Sequence, residues 1–346
     1  MPLHILVIRR DNIGDLVCTT PLFSALRRHF PEARIAALVN SYNAPVLDGN
    51  PDVDEVHVYR KAKHRDASES RVAIWWETWQ LMCRLRKKKF DVAIVATPAR
   101  HAGALRFAHW TNAKRVIAYG ERTDGIDDPI PLAHTNTGHE TEAVMGLLGP
   151  LGIDEAPGLT RVMADAKQVE TIAVPSGEGP LVALHISARK PAQRWPIERF
   201  SALAHALHAG YRARFLLFWS PGDANHAQHP GDDDKAEQLI ASCQDLPLLA
   251  CSTYRLEELI AGLARCDRVI CSDGGAMHLA AGLGKPIICF FGNSDAERWH
   301  PWGVVHELLQ HPSRKVLDIS VSDVLSAFAN LDQRIIEGRS VSRDGP

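Results

Sequence analysis

Short, nearly unbroken apolar runs return along the whole chain, and the segments between them carry helical spacing. In the first half the runs are residues 3–8, 34–39, 91–96 and 114–118. In the second half they are 181–186, 214–219, 268–271 and 286–291. A strand with one wet face alternates polar with apolar. A strand apolar at nearly every position must be covered on both faces, as parallel strands flanked by helices are. The chain therefore reads as α/β and doubly wound. At 346 residues it is long enough for two domains. The pattern lapses around 161–180, which ends in Pro, Ser and Gly, and resumes at Leu181. We expect two Rossmann-like domains facing a central cleft, spanning 1–165 and 176–319. A C-terminal segment, 320–346, would hold a helix and a frayed tail.

Charge narrows the function. The formal net charge is −2 with both signs mixed along the chain, so there is no general electrostatic reason to bind nucleic acid. The basic run Arg84-Leu-Arg-Lys-Lys-Lys89 reads as a solvated helix end, with an anionic membrane or an acidic glycolipid as its alternative partner. Seven cysteines without CxxC spacing suit a reducing compartment. The opening strand begins too soon for a signal peptide, and no apolar run approaches a membrane span. A cytoplasmic protein is expected. On the helical segment 71–88, Trp75, Trp79, Met82 and Leu85 share one face, which predicts helix packing.

Three segments carry candidate chemistry. In residues 266–303 an apolar strand ends at Asp273, followed by Gly274, Gly275 and a helix bearing His278. Such a turn aims backbone N–H groups at an anionic, nucleotide-linked ligand. The small residues Ala280, Ala281 and Gly282 would permit close approach. In residues 185–196, HISARKPAQRWP, the side chains of Ser187, Arg189, Lys190 and Arg194 crowd one strand-to-helix connection. They suit a diphosphate, or else form an exposed basic loop. In residues 9–15, RRDNIGD, Arg9, Asn12, Gly14 and Asp15 occupy the turn after the first strand, without a GxGxxG fingerprint. Asp15 is either a helix cap or a general base. Thr20-Pro21 offers a separate helix start, with Thr20 capping, which would leave Asp15 in the turn itself. His226 and His229, with the acids 232–234, carry ligand types for a metal. Their HxxH spacing lacks the one-face geometry of a helical zinc pair, so no metal is expected.

Taken together, ILVIRRDNIGDLVCTTPLFSALRRHFP, RWP and SDGGAMHLAAGLGKPIICFFGNSDAERWHPWG resemble glycosyltransferase family nine, the ADP-heptose:lipopolysaccharide heptosyltransferases and their relatives. The resemblance covers both domains in order. It implies a GT-B fold, with the acceptor on the N-terminal domain, the nucleotide-sugar on the C-terminal one, and a last helix crossing back to domain one. It implies Asp15 as catalytic base, with Arg9, Asn12 and Gly14 on the acceptor or phosphate side. Arg194 and Ser187 would meet the donor phosphates, and Asp273, Gly274, Gly275 and His278 would form the donor-binding turn. The implied reaction is an inverting, metal-independent transfer from ADP-heptose to a lipopolysaccharide-core acceptor, with no cofactor. A peripheral contact with the inner face of the inner membrane goes with such an acceptor. A nucleotide-sugar epimerase, a protein O-heptosyltransferase and a non-catalytic nucleotide-sugar binder are the alternatives. The chain departs from the family where Gly274 replaces a hydroxyl residue and where Gly292-Asn-Ser-Asp295 replaces Gly-Pro-Thr-Asp. It also has no obvious match to an acid near the ribose.

Overall fold

The computed structural model describes residues 2–60, 71–135, 138–222 and 231–343. It divides into two compact units, Met1–Val162 and Met163–Pro346, a few residues from the expected boundary at 165.

The first unit carries strands β1 (His4–Ile8), β2 (Arg34–Asn40), β3 (Glu55–Tyr59), β4 (Val92–Val95), β5 (Arg115–Tyr119) and β6 (Asp128–Ile130). Its helices are α1 (Ile13–Val17), α2 (Thr20–His29), α3 (Arg71–Lys87), α4 (Ala102–Thr111) and α5 (Glu140–Met145). The second unit has α6 (Ala166–Thr171), β7 (Leu181–His185), α7 (Ile197–Tyr211), β8 (Arg214–Trp219), α8 (Asp233–Ser242) and β9 (Leu248–Ser252). It continues with α9 (Leu256–Arg265), β10 (Arg268–Ser272), α10 (Gly275–Gly282), β11 (Ile287–Phe291), α11 (Ala296–Trp299), β12 (His306–Gln310) and α12 (Val321–Arg343).

Every ladder is parallel. The strand orders are β3-β2-β1-β4-β5-β6 and β12-β11-β10-β7-β8-β9. Counted within its own unit, the second order is the first read from the other end. Each sheet therefore reverses direction once, between β1 and β4 and between β7 and β10. In an open α/β sheet, the crevice beyond the strand ends at that switch point is where ligands bind.

All eight expected strands are present and all are interior. The four that the apolar pattern did not reveal, β3, β6, β9 and β12, are the sheet edges. Edge strands are covered less completely, so they keep polar side chains. Along β3 exposed and half-buried positions alternate, and no residue of β9 or β12 is fully buried.

The core of the second unit gathers Val182, Leu184, Phe200, Phe215, Ile270 and Phe290 around Trp195. The Trp195 ring meets Phe200 edge-on at 4.8 Å, and its Nε1 donates to the carbonyl of Ile319 at 2.9 Å. Truncating a ring such as Phe290 to Ala should cost about 3–5 kcal/mol. α12, expected to cross back to the first domain, packs in its described part on α7, β11 and β12 of the second unit. Among the described residues, no helix is long and apolar enough to cross a membrane.

Two local expectations are corrected. On α3 the core side is Leu81, Met82 and Leu85, whereas Trp75 and Trp79 are exposed. The apolar face read from spacing was thus half right, because periodicity cannot say which of two apolar sectors meets the sheet. Thr20 does not cap α2. The cap position is Thr19, and the Thr20 hydroxyl donates to Val17 O at 2.6 Å. Pro21 does lie in the first turn, where its missing N–H costs nothing.

Candidate functional site

Both sheets bring their candidate residues to their own switch points. In the first unit, Arg9–Asn12 follow β1 and Thr97 follows β4. The loop after β1 is pinned from the β2 end. Asn40 Nδ2 donates to the carbonyls of Arg10 and Asp11 at 3.0 and 2.9 Å, and Asn43 Nδ2 to that of Asn12 at 3.3 Å.

Asp15 does not sit in a free turn. It is the third residue of α1 and closes a capping box with Asn12. Its Oδ2 accepts from Asn12 N at 2.8 Å and from Asn12 Nδ2 at 2.9 Å, satisfying donors that a helix start otherwise leaves unpaired. Its Oδ1 accepts from Arg9 Nη2 at 2.8 Å. Helix cap and candidate base are therefore one residue. Burial opposes ionisation of Asp15, but the Arg9 charge and the Asn12 donors outweigh it and hold the carboxyl below the usual range.

Arg9 is enclosed, with 1% of its side chain exposed. Besides Asp15, its Nη2 donates to Glu140 Oε1 at 2.6 Å, its Nη1 donates to the carbonyl of Ala96, and its Nε lies 3.3 Å from Asp11 Oδ2. Burial alone would favour losing the proton. The three carboxylates reverse that and push the guanidinium further up. Asp11 in turn accepts from the Thr97 hydroxyl at 3.1 Å, and His101 Nε2 stands 3.9 Å away. Gly14 is buried within α1. Glu140 escaped the sequence reading. It opens α5 behind the His139 cap, 131 residues from Arg9, and nothing local marks it.

In the second unit, Ser187 follows β7 and its hydroxyl accepts from Ser220 N at 2.9 Å. Arg194 is anchored through Nε to the carbonyl of Ala188 at 3.0 Å, which folds the 188–194 connection on itself. Gln193, its neighbour, was also missed. It is buried, and its amide nitrogen donates to Asp273 Oδ2 at 2.6 Å and to the Ser294 hydroxyl at 2.7 Å. Its backbone carbonyl accepts from Ser272 Oγ at 2.6 Å. The connection after β7, the turn after β10 and the loop after β11 are thereby tied into one piece. A side chain at Gly292 would come within 2.6 Å of Ala192 O, so only glycine permits that approach.

Gly274 stands at the cap of α10 in extended backbone, and a Cβ there would meet nothing within 4 Å. Its lack of a side chain is open room, not a conformational need. His278 is buried on α10, edge-on to Trp299 at 6.0 Å. Ala280, Ala281 and Gly282, expected to admit a ligand, are buried as α10 packs on α9, β10 and β11. Asp295 caps α11, its Oδ1 accepting from Glu297 N and Arg298 N.

Among the described residues no group of three or more His, Cys, Asp or Glu is placed to hold a metal ion. His226 and His229 lie outside the described residues. Asp233 binds Trp219 Nε1 at 2.7 Å and Gly222 N at 2.9 Å.

One switch point thus holds a carboxylate kept ionised beside a buried cation, and the other ties three connections together around Gln193. The sequence profile described as glycosyltransferase family 9 (heptosyltransferase) matches residues 78–318. The chain belongs to that family. Against the Escherichia coli lipopolysaccharide heptosyltransferase 3, this family 9 enzyme is 27% identical over 301 residues, covering 84% of this chain and 83% of that one. Two solved structures share its architecture. The family 9 glycosyl transferase of Veillonella parvula superposes with a TM-score of 0.77 at 18% identity, over 95% of this chain and 97% of that one. The ADP-heptose lipopolysaccharide heptosyltransferase II of Escherichia coli gives 0.76 at 19%, over 95% and 98%. At such identities the likeness speaks to the fold, and the fold of this glycosyltransferase is GT-B.

Proposed function

We propose that this family 9 glycosyltransferase moves heptose from ADP-heptose to a lipopolysaccharide-core or related acceptor hydroxyl, with inversion and without a metal or cofactor. The observation that carries the reading is the Asp15 carboxylate, kept ionised by buried Arg9 at the end of the first strand. In the proposed step, Asp15 takes the proton from the acceptor hydroxyl while that oxygen attacks the anomeric carbon of the donor. The C–O bond to ADP breaks through an oxocarbenium-like transition state, and ADP leaves from the opposite face. A carboxylate of low basicity cannot deprotonate an alcohol in advance. Its proton transfer must accompany C–O bond formation, when the hydroxyl has become acidic.

On the donor side we assign the growing diphosphate charge to Arg194, Ser187 and the backbone amides of Gly274 and Gly275 at the start of α10. Asp273 and His278 are read as ligands to the nucleotide-sugar. Arg194 is held by one edge, which limits the reorganisation needed when charge develops. Arg9, Asn12 and Gly14 act on the acceptor side by shaping the Asp15 turn. A cytoplasmic location, peripheral to the inner face of the inner membrane, fits a glycolipid acceptor.

Calorimetry with ADP-heptose set beside ADP-, UDP- and GDP-hexoses tests the donor. Transfer to a delipidated core glycan in the presence of a chelator, with the product anomer read by NMR, tests the rest. Exclusive binding of a uridine sugar would sink the donor assignment. Product formed from donor alone would point to an epimerase.

A further inference from the structure

Helix α3 turns three tryptophans outward. Trp75, Trp76 and Trp79 are 62%, 50% and 38% exposed, while Leu81, Met82 and Leu85 on the same helix are buried. Trp76 and Trp79 stack with ring centroids 4.8 Å apart. At 3.6 residues per turn, Trp75, Trp76, Trp79, Cys83, Arg86 and Lys87 share one sector roughly 120° wide, turned away from the buried side. The indoles occupy the N-terminal part of that sector and the cations its C-terminal end. Arg84 flanks it and Lys89 follows just beyond. Glu77 is the sole acid of α3. Trp110, on α4 that packs against α3, is half exposed as well.

Three adjacent indoles left in water are too much apolar surface to be incidental. The accompanying charge decides what covers them. Cores of protein–protein interfaces are depleted of lysine and of charge generally. Tryptophan and arginine suit either setting, but only a bilayer surface also favours lysine, with tryptophan at headgroup depth and the cations beside anionic phosphates. We propose that this face of α3 docks the enzyme on an anionic lipid bilayer. The indoles enter the headgroup layer, and Arg86 and Lys87 lie against lipid phosphates. The inference deepens the proposed function and rests on its acceptor being lipid-borne, yet vesicle binding can be measured without any transfer.

The test uses the full chain with vesicles of phosphatidylcholine alone or containing phosphatidylglycerol. The enzyme should sediment with the anionic vesicles, less as salt rises, and its tryptophan emission should shift to the blue. A variant with Trp75→Ala, Trp76→Ala and Trp79→Ala, and a second with Arg86→Glu and Lys87→Glu, should each lose about tenfold or more in vesicle affinity. Both should transfer to a delipidated acceptor as the parent does, which shows that they fold. Parent enzyme that stays in solution, or variants that sediment like the parent, would overturn the proposal. So would a concentration-dependent dimer abolished by the tryptophan variant, because that would assign the face to a second copy. Loss of transfer by the parent on the soluble acceptor, with vesicle binding intact, would instead fault the functional reading.

Discussion

Arg9 donates to the Asp15 carboxylate at 2.8 Å from a position almost wholly sealed from solvent. A buried cation cannot rearrange its hydration when a neighbour changes charge, so the pair behaves as a unit. Asp15→Asn should lower turnover by about 10²–10⁴, the usual range for a lost general base. ADP affinity, measured by calorimetry, should stay within twofold because the residues proposed to bind the nucleotide belong to the other unit. A parallel fall in both would make Asp15 a cap only. The same pair contributes acid sensitivity. The Asp15 carboxyl titrates below its ordinary value of 3.8. Its stabilisation is therefore full above that value and is lost as pH falls through the lower, folded value.

Glu140 shares the Arg9 Nη2 donor with Asp15. Replacing Glu140 with Gln removes a competing negative charge, so Arg9 should hold the Asp15 proton affinity lower still. The acid limb of the kcat/KM profile should move to lower pH, and stability should drop by about 1–3 kcal/mol from the weakened buried contact. A limb that moves upward would show that Glu140 does not act through Arg9.

Gln193 links the Asp273 carboxylate to Ser294 through one amide nitrogen. Gln193→Leu keeps the bulk and removes the link. ADP affinity should weaken about tenfold, near the value of one hydrogen bond to a charged group, with little change in melting temperature. Unchanged affinity would mean that the turn after β10 holds its shape alone.

Two glycines in the second unit make opposite predictions. Gly274→Ser places a side chain in open room on extended backbone and should leave stability within about 0.5 kcal/mol. Gly292→Ala drives a Cβ to 2.6 Å from Ala192 O and should destabilise by about 1–3 kcal/mol. Thermal unfolding of both variants settles the contrast. If Gly274→Ser also binds ADP more tightly, the hydroxyl absent from this chain is a donor contact.

His185, at the end of β7, is pushed by burial down to about 4, with Asp232 opposing. The unfolded imidazole takes a proton near 6.5 and the folded one does not until about 4. Stability should therefore fall as pH drops through that window, by about 3 kcal/mol at most. His185→Gln should flatten the pH dependence of denaturant midpoints between those values. An unaltered slope would locate the titration elsewhere.

The interior of each sheet was legible because strands covered on both sides have no polar positions to confuse the pattern. Edges were not, since β9 and β12 keep half-buried and exposed side chains that read as loop. Candidate residues in the segment that follows a strand, such as Asp15, Arg194 and Asp273, stood out as polar or glycine-rich breaks behind apolar runs. Gln193 and Glu140 did not, because their meaning lies in contacts across 80 and 131 residues of sequence. The tryptophans of α3 misled for a physical reason. An aromatic stripe at helical spacing looks the same whether it faces a core or a surrounding phase.

The two polar networks each close within their own half of the chain. Arg9 draws its partners from residues 11 to 140, and Gln193 from 272 to 294. On the roles proposed above, acceptor chemistry and nucleotide chemistry therefore rest on networks that share no residue across Val162. A relative's first half could be spliced to this second half without severing either network, and under the proposed roles such a chimera should change acceptor preference while keeping its affinity for ADP.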